Sequence, residues 1–184
     1  MLARQRVHLV ETFTYEFRQP YHTAEKILGG QAREFIARMQ AEARVLACRA
    51  IRELASRTQE QGVKLTRCGL LLASGRPLPA LEKILASHAL IHTADGELFR
   101  EAIAHGCERS GLKMESIKER ALLERAGTGL HLKTTELMRR VTDLGKPLGS
   151  PWSQDEKFAT LAAWLALAAP SKNNSKRYKE SKTS

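Results

Sequence analysis

His88 and His92 stand four residues apart in the stretch SHALIHTADGELFREAIAHGCE, positions 87–108. Four residues is little more than one helical turn, so two imidazoles at this spacing share a face and can reach one metal ion. Asp95 continues the same stripe, where a carboxylate can orient an imidazole or become a third ligand. The glutamate that supplies the general base in the HExxH metalloprotease pattern is missing. The trio His88, His92 and Asp95 therefore nominates three arrangements: a catalytic acid–base or substrate contact, a metal site, or a histidine held by a carboxylate at a half-buried helix joint. Glu97 could assist if a second helix begins near it. Glu101 and His105 are also four apart but fall on the other side. His8, His22 and His131 stand alone in the chain and read as surface residues.

Two other places invite chemistry. Asp155 is a candidate catalytic carboxylate beside Glu156, although acids in a first helical turn also complement the helix dipole. GTGLHLK at 127–133 sets Gly127, Gly129 and Lys133 close to a helix start, where backbone amides could receive a phosphate. It does not satisfy the P-loop pattern GxxxxGK[ST].

These residues need elements to place them. RVHLVETFTYEF at 6–17 predicts a strand or hairpin arm. Gly29-Gly30 breaks the chain, and a helix is expected over 31–61, with Phe35, Met39, Ala43, Leu46, Ala50 and Leu54 as its apolar stripe and Arg38, Arg49 and Arg52 toward solvent. VKLTRCGLLLAS at 63–74 predicts a strand, and its LLLA run suits a central strand covered on both faces. Helical pattern runs over 78–109 with a break near Thr93–Gly96, where Thr or Asp could cap a new start. LKMESI at 112–117 is a shorter strand. Helices are expected over 119–126, 134–144 and 154–169, the last opened by the capping box Ser153 to Glu156 behind Pro151. Trp152 lacks an apolar staple partner at Lys157. Residues 171–184 are polar and basic and read as a disordered tail behind one domain, 1–170. The order strand, long helical crossover, strand predicts an α/β fold with parallel pairing, rich in helix.

The 184 residues carry 42% hydrophobic and 27% charged side chains, with a net charge of +10. That excess can attract DNA or RNA. Cys48, Cys68 and Cys107 have no zinc-site spacing and suit a reducing compartment. No apolar leader is evident at the N-terminus, and FATLAAWLALAA at 158–169 is too short to span a bilayer. A cytoplasmic protein without a membrane partner is expected, with no cofactor evident.

The stretch from CGLLLAS to AAWLALAA, about 68–169, resembles the second half of a ribonuclease H-like domain of the RuvC-type Holliday-junction resolvases. SGLKMESIKERALLERAGTG matches as strand, basic loop, short helix and glycine turn, KTTELMRRVTDL as a helix, and SQDEKFATLAAWLALA as a final helix opened by acids. The resemblance implies a mixed sheet flanked by helices in three layers. It also implies a carboxylate cage for two Mg²⁺ ions that cleave phosphodiesters. At the matching positions this chain keeps Asp155 alone. Leu70-Leu71-Leu72 and Phe158 replace expected acids, and only Glu11 and Glu16 lie near the first strand. The implied function is a nucleic-acid-associated, catalytically degenerate relative, with Mg²⁺ only if carboxylates cluster. Lys118, Arg120 and Lys133, joined by Arg139 and Arg140, would meet phosphates. The alternatives are a small-molecule enzyme using His88, His92 and Asp95, or an adaptor docking through its final helix.

Overall fold

The computed structural model describes residues 19–27, 29–73 and 77–169. The expected strand over 6–17 and the tail over 171–184 lie outside them. Among the described residues, seven α-helices and two strands run in the order α1 (Pro20–Ala24), α2 (Gly29–Glu60), β1 (Arg67–Leu72), α3 (Leu81–Leu85), α4 (His88–Arg109), β2 (Lys113–Lys118), α5 (Leu122–Leu130), α6 (Thr134–Gly145) and α7 (Gln154–Ala168).

The helix-rich α/β expectation holds in its coarse form. β1 and β2 pair in parallel, Arg67 opposite Lys113 through Leu72 opposite Lys118, across the α3–α4 crossover. β1 is not the central strand expected from LLLA: among the described residues the sheet has two strands. Leu70 is buried, while Leu71 and Leu72 are half-buried. Strand alternation aims neighbouring side chains at opposite faces. Cys68 packs with Cys107 of α4 and Ile51 of α2. Leu71 packs instead into the core formed with α7. Gly69 lets α7 close on the sheet, because a methyl group there would run into the Ala162 carbonyl and the Ala163 amide.

Two apolar cores flank the sheet. The first joins α1–α4 through Tyr21, Ala32, Ile36, Met39, Ile84, Ile91 and Leu98. The second joins β2 and α5–α7 through Ile117, Leu122, Leu137, Val141, Leu161 and Leu165. The inner stripe of α2 is Ala32, Ile36, Met39, Ala43, Ala47, Ile51 and Leu54. It shares Met39, Ala43 and Leu54 with the expected stripe, while Phe35 and Leu46 border it, half-buried against the first core, and Ala32, Ile36, Ala47 and Ile51 take the closest positions. Gly106 of α4 lies against the Ala47 backbone. Arg38, Arg49 and Arg52 are exposed, as expected.

The break expected at Thr93–Gly96 does not occur. The chain interrupts earlier, at Ala86–Ser87, and α4 continues through Gly96 to Arg109. Ile91, Ala94, Leu98 and Ala102 are buried against the first core. Their burial outweighs the roughly 1 kcal/mol that a mid-helix glycine costs. At the other end of the chain the expected capping box forms: Ser153 accepts from the Asp155 amide and Glu156 reaches back to the Ser153 amide. Trp152 lies instead against Gly145, its Nε1 donating to the Val141 carbonyl at 3.2 Å.

The GTGLHLK stretch is helical in its first half, and Lys133 at its end precedes α6 as the N-cap residue. Gly127 and Gly129 belong to α5, and Gly129 gives room to Leu165. Positions this near a helix C-terminus offer carbonyls, not free amides.

Candidate metal centre

α1 is five residues long, too short to hold helical geometry by itself. Pro20 at its first position fixes φ and has no amide to satisfy, but the Tyr21 amide needs an acceptor. Asp95 supplies it from the middle of α4. Its Oδ1 accepts the Tyr21 amide at 2.8 Å, and its Oδ2 lies 2.8 Å from Nδ1 of His22. Asp95 is buried, 6% exposed, with both oxygens used. An ionised carboxylate only accepts, so the His22 ring donates through Nδ1, and in the neutral imidazole the other nitrogen, Nε2, then carries the lone pair.

That ring meets the pair expected from the sequence. His88 opens α4 and His92 follows one turn later, their Nε2 atoms 3.0 Å apart. The ring centroids of His22 lie 5.3 Å from His88 and 4.5 Å from His92, all edge-on. One ligand atom from each of the three falls within 4.8 Å of the others. Tetrahedral zinc with Zn–N of 2.0–2.1 Å needs nitrogens about 3.3 Å apart, close to the His88–His92 spacing, and His22 must draw nearer by a rotation of its ring or of the two α4 imidazoles. Among the described residues, no other group of three or more His, Cys, Asp or Glu side chains is gathered this closely.

Of the trio read from the sequence, His88 and His92 come together, whereas Asp95 lies outside the three-histidine group and meets it through His22. Asp95 caps no new helix; its carboxylate pairs with the His22 ring. His22, expected to be a lone surface residue, completes the set and is half-buried. His88 and His92 are exposed. Glu97 pairs with Arg100 at 3.8 Å, and His105 stays outside the cluster. Beside the site, burial first and then Glu101 push the Tyr21 phenol up, so it is a neutral packing group.

The remaining candidates are dispersed. Asp155 is exposed at the start of α7 and joins no acidic cage among the described residues. Lys118, Arg120 and Lys133 are exposed. Arg139 and Arg140 both pair with Glu136, and Arg139 also with Asp143 at 2.9 Å. Two surface depressions, one bordered by Glu115, Glu124 and Arg125 and the other by Val45, Arg49 and Glu53, include none of the three histidines. The inner face of α7 is buried at Leu161, Ala162, Leu165 and Ala166, leaving Leu167 outward. Among the described residues no helix is long and apolar enough to cross a membrane.

No family model, curated protein or solved structure matches this chain. The geometry of the histidines is therefore the main guide to function.

Proposed function

We propose that the chain is a metal-binding protein whose His22, His88 and His92 hold one divalent transition ion. The observation that carries the reading is the buried Asp95 behind His22. A carboxylate placed on the far nitrogen of a ligating imidazole fixes its tautomer and raises its basicity. An all-imidazole set suits Zn²⁺, Ni²⁺ or Cu²⁺ rather than Mg²⁺, which prefers oxygen. Three protein ligands leave a fourth position for water or a small ligand, the arrangement in which zinc acts as a Lewis acid. The test is equilibrium dialysis of tag-free protein against Zn²⁺ and Co²⁺. One ion per chain is expected, with binding weakened more than about tenfold in each of His22→Ala, His88→Ala and His92→Ala. Binding that ignores all three substitutions defeats the reading.

A second reading is nucleic-acid association on a diverged ribonuclease H-like, three-layer scaffold in a cytoplasmic setting. It is favoured by the charge of +10 and by exposed Lys118, Arg120 and Lys133. The engagement of Arg139 and Arg140 with Glu136 reduces their share. Three free, buried thiols suit a reducing compartment. Titration of labelled branched and single-stranded DNA at several salt concentrations tests it; affinity must fall steeply with salt.

A further inference from the structure

We infer that occupancy of the three-histidine site latches α1 onto the first turns of α4. This inference rests on the metal-binding reading and adds a regulatory consequence to it.

The ligands are divided unequally between two elements. α4 supplies His88 and His92 on one rigid helix, so that pair persists whatever α1 does. α1 supplies His22 alone. An ion therefore sees three imidazoles when α1 is docked and two when it is not. It shifts the docking equilibrium by the ratio of those two affinities, and by no more than that ratio.

Among the described residues, α1 is also tied to α2 through a hydrogen bond between the Tyr21 and Gln40 side chains. Pro20, Tyr21 and Ala24 are its buried residues. Its polar attachment to α4 passes through Asp95, which accepts both the Tyr21 amide and the His22 ring. The same carboxylate thus fixes the helix and presents the ligand, so docking and coordination are coupled through one side chain. On its C-terminal side the chain passes to α2 at Gly29-Gly30, where Gly29 has φ +50° and neither glycine would meet a neighbour if it carried a Cβ. That junction places little steric demand on α1. Undocking would uncover Tyr21 and Ala24, and with them the edge of the first core.

Linkage is reciprocal: the ion favours docked α1, and docked α1 raises affinity for the ion by the same factor. A substitution that loosens α1 without touching a ligand must therefore weaken metal binding.

Hydrogen–deuterium exchange on the full chain, with Zn²⁺ as the only addition, tests this. Saturating Zn²⁺ should slow exchange of amides 21–27 by about tenfold or more, while amides of α5–α7 stay unchanged. In His22→Ala the slowing at 21–27 should vanish although the His88/His92 pair remains. Tyr21→Ala should weaken Zn²⁺ binding severalfold in dialysis, with all three ligands present. One Zn²⁺ bound per chain with no change at 21–27 overturns the latch and leaves the metal site standing. The same slowing in His22→Ala also overturns it. Failure to bind Zn²⁺, Co²⁺, Ni²⁺ or Cu²⁺ overturns both readings.

Discussion

The Asp95 carboxylate holds His22 across 73 residues of chain, Oδ2 to Nδ1 at 2.8 Å, while Oδ1 accepts the Tyr21 amide at the same distance. Removing it as Asp95→Ala strands a buried amide and turns the ring loose, costing about 1–3 kcal/mol of stability. Asp95→Asn is the more informative change. Asn can still accept from Tyr21 through its oxygen, but it then presents an NH₂ to His22. The ring must accept at Nδ1, which moves its hydrogen onto Nε2 and blocks the ligating lone pair. The expected outcome is a tautomer switch in ¹⁵N NMR and about 10–100-fold weaker Zn²⁺ binding. An unchanged affinity would show that Asp95 only anchors α1.

Glu136 gives a pH-dependent contribution of known sign. Hydrogen bonds from Arg139 and then Arg140 hold its carboxyl down at about 2. A depressed folded-state value stabilises the fold above the unfolded glutamate range, and that contribution is lost as pH falls from about 4.3 through 2. Carboxyl ¹³C NMR should show Glu136 ionised at pH 3. Arg139→Ala or 1 M salt should move its titration upward, since the pair is exposed and screened. A midpoint near 4 in the unmodified protein would refute this.

Gly69 is a packing position. Gly69→Ala forces a methyl group into the backbone of α7 at Ala162 and Ala163, which cannot retreat without leaving the sheet. Overpacking of this kind costs about 1–3 kcal/mol or more. The urea midpoint should fall accordingly; a midpoint equal to that of the unsubstituted chain would mean that α7 shifts freely.

Cys107 is expected to be inert in the folded state. Its hydrogen bond with Cys68, followed by burial, pushes its thiol far above the usual range. The nucleophile in alkylation is the thiolate. At pH 8, iodoacetamide should spare Cys107 in native protein and modify it after denaturation. Rapid native labelling at Cys107 would contradict the packing of α4 on β1.

What could be read from the chain follows the range of the interactions involved. His88, His92 and Asp95 lie on one helix, so their shared face is written in local spacing. The capping box at Ser153 is local in the same sense, and the parallel order of β1 and β2 follows from the helical crossover between two strand-like stretches. His22 was invisible because its role depends on α1 docking against α4, a contact between distant segments with no periodic signature. Gly96 misled for the opposite reason: a local helix-breaking signal was overridden by burial of Ile91, Ala94 and Leu98. On α2 the periodicity finds Met39, Ala43 and Leu54 but passes over Ala32 and Ala47, because large side chains weigh more in a pattern than the small ones that permit close helix approach.

α4 is one unbroken run of 22 residues, roughly 33 Å long. It carries His88 and His92 at its leading end and hands the chain to β2 at Lys113, three positions past Ser110, at its trailing end. One continuous helix thus separates the imidazoles from the paired strands by its whole length, and the ladder's amide shifts in NMR give a reference far from the rings, against which any local change on adding Zn²⁺ can be read.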